Sequence, residues 1–348
     1  MRRRDQGPPW LVGLKRYQGI SVVLVYGVFL AVCFVWSVST PNFAFATTNN
    51  LTVLLALKIP TTAIAAIGVG LLMIAGEFDI STAGTYTLAA FIVAILFAQF
   101  EWPLILALIG GLVAVMIVGA LNGYLTAWVG IPSFIATIGM MFFLRGVIRF
   151  VSINPESDQA DSMPFFPCRT CEQAGGKQTD ALTTLFTGEI VSPLYAQMVW
   201  LILIGFAAHL LLNRHRLGNH MFTTGGNRDA ATAVGVNVKR TKLIAFIICA
   251  TAAGFAGIMQ ATMINEIEPS FAVTSGFELK VIASVVVGGV SLMGGRGTVL
   301  GMILGAALIE TVDNVLVLIA APETLFKGLL GALIIAAVVL NTLVRGRR

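Results

Sequence analysis

The stretch Leu104–Val118 reads LILALIGGLVAVMIV, and no charged side chain interrupts it. A second run, Thr61–Ala75, reads TTAIAAIGVGLLMIA and is equally free of charge. A helix that crosses the hydrocarbon core of a bilayer needs about 20 mostly apolar residues. Because several such runs follow one another along the chain, we predict an all-α polytopic integral membrane protein.

The composition of the chain excludes a soluble domain. Of its 348 residues, 57% are apolar and only 11% are charged, whereas a soluble domain carries about 25% charged residues. The net charge of +5 would suggest a nucleic-acid partner in a soluble protein. Here the basic residues flank apolar runs, which is typical of membrane orientation. We therefore expect a lipid bilayer as the environment and no nucleic-acid partner.

Hydropathy predicts about ten spanning helices. The basic stretch Met1–Asp5 precedes the first of them, and no small-residue cleavage site precedes Pro41, so the first run is interpreted as a retained span and not as a signal peptide. The ten predicted spans are residues 20–38, 51–75, 82–99, 103–128, 131–151, 197–213, 243–263, 277–293, 298–319 and 325–344.

The placement of Lys and Arg predicts that both termini lie in the cytoplasm. With the N-terminus inside, 15 of the 22 basic residues fall on inner segments, and two, Arg169 and Lys177, fall on outer segments. Cytoplasmic segments of membrane proteins carry such an excess of positive charge. The resulting organisation has cytoplasmic tails at 1–19 and 345–348 around a single transmembrane domain at 20–344. Its two long loops are an outer loop at 152–196 and an inner loop at 214–242.

Two similar segments suggest an internal repeat. Gly76–Ile80 (GEFDI) precedes the third span, and Gly276–Leu279 (GFEL) opens the eighth. In a five-plus-five arrangement these spans would be equivalents that run in opposite directions. This is the pattern of an inverted-topology repeat.

The inner loop contains a predicted short helix. Asn227 suits the N-cap position, because its side chain can accept a hydrogen bond from a free backbone N–H group. Asp229 falls in the first turn, where the helix dipole favours an anion, and Gly235 suits the left-handed position after the last turn. The small residues between them leave two interpretations open. Either another protein approaches this helix closely, or the helix packs under the membrane domain. These small residues are Ala230, Ala231 and Ala233.

Five segments in order resemble the ribose/xylose/galactose-type permeases of ATP-binding-cassette (ABC) importers, within the branched-chain amino acid/monosaccharide permease superfamily. The inner loop resembles the ATPase-coupling loop of that family. The other four segments are Gly76–Gly84 (GEFDISTAG), Leu121–Gly123 (LNG), Ile131–Gly146 (IPSFIATIGMMFFLRG) and Phe277–Gly301 (FELKVIASVVVGGVSLMGGRGTVLG). The resemblance covers about residues 70–348.

The resemblance implies two groups of functional residues. The implied ATPase-coupling residues are Gly218, Gly225, Gly226, Asn227, Asp229, Ala230, Ala231 and Gly235. The implied candidates for the translocation pathway are Asp79, Ser81, Asn122, Phe134, Thr137, Arg145, Glu278, Ser284, Ser291 and Asn314.

The chain departs from the family pattern in ways that leave the solute open. Glu77 adds a second acid beside Asp79. The pair Asn314-Val315 stands where the family has Asn-Gly, and the outer loop at 152–196 is longer than usual.

The resemblance also implies the partners. These are a second permease chain, identical or different, two cytoplasmic ABC ATPase subunits or domains, and a periplasmic solute-binding protein. The implied location is the bacterial inner membrane, and the implied solute is a small polar molecule such as a monosaccharide or polyol. The chain itself has no G-x-x-x-x-G-K-[ST] phosphate loop, so we expect no ATPase activity of its own and no cofactor.

Two other classes of protein stay open from the residues alone. An ion-coupled secondary transporter would use Asp79, Glu310 or Asp313 as a proton carrier, whereas a scaffold would transport nothing. The charges inside predicted spans, which include Arg145, either line a hydrophilic path, pair with one another between helices, or extend to the membrane interface. The Gly-rich run 288–297 either unwinds a helix near the pathway or allows close packing.

The cysteines and histidines indicate neither a metal site nor an enzyme. Cys168 and Cys171 lie in the outer loop, where an oxidising periplasm would permit a disulfide. Cys33 and Cys249 lie within spans and are interpreted as packing residues. All three His residues lie on or near the inner side, so a four-ligand zinc site with these cysteines is not expected. No arrangement of catalytic Ser, His and Asp stands out.

Overall fold

The computed structural model describes residues 20–40, 43–154, 159–160, 163–164, 186, 188–191, 194–264, 266–267 and 276–345. Cys168 and Cys171 lie outside the described residues, so their disulfide stays a prediction. The predicted cytoplasmic tail at 1–19 also lies outside the described residues.

Long helices dominate the first half of the chain. A short 3-10 turn, Ala44–Ala46, lies between the first two helices. The second helix contains a π-helical segment at Val53–Lys58, and a π-helical segment at Leu125–Val129 extends the fourth. These helices are α1 (Ile20–Ser39), α2 (Thr48–Ile74), α3 (Thr82–Ala98), α4 (Leu104–Tyr124) and α5 (Ser133–Ser152).

The second half adds helices of very different lengths. They are α6 (Ala196–Arg214), α7 (Arg216–Gly226), α8 (Arg228–Ala233), α9 (Val238–Ile264), α10 (Phe277–Val287), α11 (Val299–Leu318) and α12 (Glu323–Arg345). Three short antiparallel pairs of strands lie beside them. These pairs join β1 (Ile153–Asn154) to β2 (Gln159–Ala160), β3 (Met163–Pro164) to β6 (Glu266–Ile267), and β4 (Glu189–Val191) to β5 (Leu194–Tyr195).

Seven of the described helices are long and apolar enough to cross a membrane, which confirms the polytopic class. Two shorter apolar segments, Thr82–Phe97 and Thr324–Ala336, lie in α3 and α12. The predicted span 277–293 is wrong beyond Val287, where α10 ends. The 11 residues of α10 rise about 16 Å, short of a hydrocarbon core about 30 Å thick. The count of ten spans and the inverted repeat stay predictions.

Helix α2 lies at the centre of the bundle. Every residue of its segment Ile59–Ile74 is buried, and α6, α9, α10 and α11 pack around it. Because lipid tails are as apolar as Leu, helices in membranes associate chiefly through close packing and polar contacts. Glycine permits that approach on α9, where a methyl group added at Gly257 would lie 1.9 Å from the carbonyl oxygen of Tyr86 on α3.

The outer faces of the peripheral helices are apolar. On α1, Val35 is exposed, and on α5, Phe143 and Phe150 are exposed. Exposed apolar side chains of this size are costly in water and suit contact with lipid, where helices satisfy their own backbone groups. The bundle therefore has a buried centre around α2 and a lipid-compatible exterior.

Candidate coupling and translocation site

The predicted short helix of the inner loop is confirmed as local structure. Helix α8 begins after Asn227, whose side-chain oxygen Oδ1 accepts a hydrogen bond from the Ala230 backbone nitrogen at 3.0 Å. Asp229 lies in the first turn. Gly235 follows the helix with φ at +83°, a left-handed conformation that glycine adopts without the steric cost of a Cβ atom.

The sequence did not indicate the helix that precedes it. Helix α7 begins after His215, whose ring nitrogen Nδ1 accepts a hydrogen bond from the Leu217 backbone nitrogen at 3.1 Å. Gly218 is buried where α7 folds back on α6, because a methyl group there would lie 2.3 Å from the carbonyl oxygen of Leu212. The predicted loop 214–242 is thus two short helices, and its last residues belong to α9.

Helix α8 is exposed at every residue except Ala231. Ala231, one of the implied coupling residues, is 1% exposed and faces the protein. Val234, just after the helix, is 75% exposed. We call the exposed residues of this segment the coupling surface. They are Arg228, Asp229, Ala230, Thr232, Ala233 and Val234.

Three glycine-containing segments meet where α7 ends. The Gly295 backbone nitrogen donates a hydrogen bond to the Ile74 carbonyl oxygen at 2.9 Å. A methyl group on Gly225 would lie 2.0 Å from that same oxygen, and one on Gly294 would lie 2.8 Å from the Cα atom of Gly76. We call this meeting of Gly76, Gly225, Gly294 and Gly295 the glycine contact. It joins the end of α2, the end of α7 and the segment before α11 without side chains between them.

The Gly-rich run before α11 is both unwound and closely packed. Residues 288–298 are not helical, and Gly289, Gly294 and Gly295 have φ between +73° and +86°. The same run packs closely, since a methyl group on Gly288 would lie 2.3 Å from the Gly301 carbonyl oxygen. The run is therefore an unwound connection that is also tightly packed.

A buried ion pair joins α9 to the turn that contains Gly76. The Lys242 ammonium group in α9 contacts the Glu77 carboxylate, and both side chains are about nine-tenths buried. A buried charge without a partner is expensive, so this pair fixes the start of α9 against the turn 75–81. Glu77 was visible as an extra acid in the sequence, but its partner lies far away in the chain.

Four predicted pathway residues come together around the turn 75–81. Asp79 is fully buried, and its Oδ1 atom accepts hydrogen bonds from the Ser81 backbone nitrogen at 2.8 Å and the Ser81 hydroxyl at 2.5 Å. The Asn122 amide nitrogen donates to the Ser81 hydroxyl at 3.0 Å. The Thr137 hydroxyl accepts from the Ile80 backbone nitrogen at 3.2 Å. Turn 75–81 is thereby tied to α4 and α5.

Two further predicted residues, on α5 and α10, form an ion pair. Arg145 contacts Glu278 at 3.3 Å. Lys280, also on α10, makes two further ionic contacts. Its ammonium group lies 2.8 Å from a Glu310 carboxylate oxygen and 3.0 Å from an Asp313 carboxylate oxygen. For these charges the structure favours the pairing interpretation over isolated charges in a hydrophilic path.

The remaining predicted pathway residues lie apart from that network. Asn314 exchanges amide hydrogen bonds of 2.9 and 3.0 Å with Asn50. Ser284 is buried and donates to the Lys280 carbonyl oxygen at 2.8 Å. Ser291 lies in the unwound run, and Phe134 is 56% exposed on the outside of this chain. The ten candidates thus form several clusters and not one continuous lining.

Some residues that matter for these clusters were not predicted. The Thr62 hydroxyl donates to Glu310, and the Gln197 amide is buried with no hydrogen-bond partner among the described residues. Hydropathy could not reveal the environments of Thr62 or Gln197, because it averages each residue with its largely apolar neighbours. In the part of the chain that the structure describes, no group of three His, Cys, Asp or Glu residues is placed to hold a metal ion.

Comparison with known proteins identifies relatives along almost the whole chain. The D-allose transport system permease protein of Escherichia coli (strain K12) is 28% identical over 325 residues, which cover 92% of each chain. The L-arabinose ABC transporter permease protein of Azospirillum brasilense is 30% identical over 324 residues, which cover 92% of this chain and 87% of that protein.

A third relative, the xylose transport system permease protein of Escherichia coli (strain K12), is 26% identical over 370 aligned positions, which cover 94% of this chain and 93% of that protein. No solved structure gave a significant match. The model of the family described as branched-chain amino acid transport system / permease component matches residues 51–338. The chain therefore belongs to the family of branched-chain amino acid transport system permease components.

Proposed function

We propose that this chain is the membrane-spanning permease subunit of an ABC importer in the inner membrane of a bacterium. The observation that carries the proposal is the coupling surface on α8. It is a capped helix of six residues whose exposed side chains after the charged first turn are small, followed by the exposed Val234. A partner protein can approach such a surface closely, and the family assignment makes a cytoplasmic ATPase the expected partner.

In this proposal the chain and its partners have separate roles. It supplies the membrane conduit and the coupling surface, and two ATPase subunits or domains bind and hydrolyse ATP. A second permease chain completes the conduit, and a periplasmic binding protein delivers the solute. Closure of the ATPases would push on α8, which packs against α7 and α9, and the end of α7 contacts α2 at Gly225.

The proposed solute is a monosaccharide or polyol. Support comes from the relatives, which are named for transport of allose, arabinose and xylose. These solutes are neutral and rich in hydroxyl groups, which exchange hydrogen bonds with amides, hydroxyls and carboxylates. Asn122 Oδ1 and Glu278 Oε2 are buried acceptors with no hydrogen-bond partner among the described residues. Such acceptors suit solute hydroxyl groups or water on a polar path.

The second candidate, an ion-coupled secondary transporter, is less well supported. Such a transporter has no need of an ATPase-docking helix. Two of its candidate proton carriers, Glu310 and Asp313, contact Lys280, and that pairing gives each carboxylate a structural role. The relatives named above are permease proteins of transport systems, one of them of an ABC transporter.

Co-purification with a cytoplasmic ATPase tests the proposal directly. We expect an ATPase to co-purify with the unmodified chain and to be lost with Val234→Asp, because a carboxylate would replace an exposed apolar contact on the coupling surface. The matched control is Gln99→Asp, an exposed position at the end of α3. Retention of the ATPase by Val234→Asp would contradict the assignment of the coupling surface.

Uptake by proteoliposomes separates the two candidate functions. With the ATPase and binding protein present, we expect uptake of D-allose, L-arabinose or D-xylose that requires ATP and continues in the presence of an uncoupler. Uptake that persists without ATP but collapses with the uncoupler would establish the secondary transporter instead. ATP-dependent uptake restricted to a solute outside the carbohydrates and polyols would refute the sugar part of the proposal.

A further inference from the structure

We infer that Glu77 and Lys242, together with the glycine contact, are positioning residues that carry motion of the coupling surface to two breaks between membrane helices. The inference rests on the proposed function and deepens it. The first break is the turn 75–81 between α2 and α3, and the second is the unwound run 288–298 between α10 and α11. Both breaks contact the end of α7 at Gly225. We call residues 225–242, which begin there and include α8, the coupling segment.

The geometry makes the glycine contact stiff. At Gly225 the backbone of α7 lies so close to α2 that an added methyl group would be 2.0 Å from the Ile74 carbonyl oxygen and 2.7 Å from the Gly295 nitrogen. Backbone atoms cannot rotate away as a long side chain can. A displacement of Gly225 therefore pushes directly on both breaks, and the hydrogen bond from Gly295 to Ile74 makes them move together.

The ion pair adds a second connection from the other end of the coupling segment. Lys242 lies in α9, shortly after α8, and Glu77 lies next to Gly76 on the turn 75–81. The coupling segment is thus attached to the same turn on both sides of α8, through Gly225 before it and through Lys242 after it. Two attachments prevent α8 from pivoting about either one, so movement of α8 has to move the turn.

The turn 75–81 is itself connected to the predicted pathway residues. Its backbone is bonded to α5. The Phe78 and Ile80 backbone nitrogens donate hydrogen bonds to the Ser133 and Thr137 hydroxyl groups, each at 3.2 Å. Asp79 extends the connection to α4 through Ser81. Movement of the turn would therefore reach the network around Asp79 without any intervening flexible loop.

A fluorescent label at Met293 tests the inference without knowledge of the solute. Met293 is 76% exposed in the unwound run, so Met293→Cys can carry an environment-sensitive dye once Cys168 and Cys171 are changed to serine. In the complex of this chain with its ATPase, we expect ATP binding to change the emission of the dye. We expect Gly225→Ala to reduce that change at least fivefold, measured per bound ATPase.

Matched variants guard against a merely structural effect. Gly139→Ala is the control for Gly225→Ala, because Gly139 is a helical glycine with no atom within 4 Å of an added methyl group. Glu77→Gln and Lys242→Gln should each reduce the ATP-dependent emission change, and the exchanged pair Glu77→Lys with Lys242→Glu should restore at least half of it. Rescue by exchange is a result that general loss of stability would not produce.

The outcomes distinguish this inference from the proposed function. A full emission change in Gly225→Ala would overturn the inference. If Gly225→Ala does not fold, a full emission change in both single charge variants would overturn it instead. Absence of any ATPase on the unmodified chain would refute the proposed function and the inference with it, whereas a bound ATPase that never affects the dye at Met293 would refute the inference alone.

Discussion

Replacement of Lys280 by methionine should strongly destabilise the membrane domain. Lys280 Nζ lies 2.8 Å from a Glu310 oxygen and 3.0 Å from an Asp313 oxygen. The Glu310 side chain is only 3% exposed, so water cannot replace the lost cation there. Methionine keeps most of the volume of the side chain, which confines the change to the charge.

The magnitude follows from the burial of the carboxylates. Removal of one partner from a buried ion pair costs roughly 3–5 kcal/mol, because the remaining charge stays buried without compensation. One kcal/mol lowers the melting temperature by roughly 2–4 °C in chains of 150–250 residues, and by less in a longer chain. We therefore expect the apparent melting temperature in detergent to fall by about 5–10 °C.

Fluorescence-detected thermal unfolding in detergent measures this effect. The triple variant Lys280→Met, Glu310→Gln, Asp313→Asn should recover most of the loss, since it removes the unpaired charges together with the cation. Lys58→Met serves as the control, because Lys58 has no ion pair among the described residues. A melting temperature within about 2 °C of the unmodified chain for Lys280→Met alone would refute the argument.

Three further changes test separate features of the structure. Asn227→Ala removes the N-cap of α8, worth about 1 kcal/mol, and should weaken ATPase binding about fivefold in a titration; unchanged affinity would contradict a docking role for this helix. Gly305→Val should abolish folding, since even a methyl group there would lie 2.0 Å from a carbonyl oxygen of α10. The control is Gly328→Val, which is in open space. On gel filtration only the control should give a monodisperse protein. Asn314→Leu leaves the side-chain oxygen of Asn50 without its donor and should cost about 1–3 kcal/mol, so equal thermal stability of this variant would count against the amide pair.

The features predicted well from sequence are those that depend on neighbouring residues. Apolar runs such as Leu104–Val118 correctly located long membrane helices, because hydropathy over about 20 residues is a local property. The cap at Asn227 and the left-handed Gly235 were equally local, and both are present. The extent of the eighth span was wrong, because apolar residues continue after α10 although the backbone unwinds.

The partners of the charged residues could not be predicted in this way. Arg145 and Lys280 were visible as charges inside spans, but their acids lie on other helices. Sequence alone left the choice between a hydrophilic path and pairing open. The choice depends on the rotation of each helix about its axis, which only the packing of the bundle fixes.

By itself, the sequence determined the class of the protein, because sparse charge and long apolar runs are compatible only with a chain folded in lipid. It also determined the presence of a short capped helix in the inner loop, because capping acts within four residues. Only the tertiary structure decided that Gly76, Gly225 and Gly294 meet and that Glu77 pairs with Lys242. The physical reason is that these contacts join segments far apart in the chain, and their distances are set by how the intervening helices pack around α2.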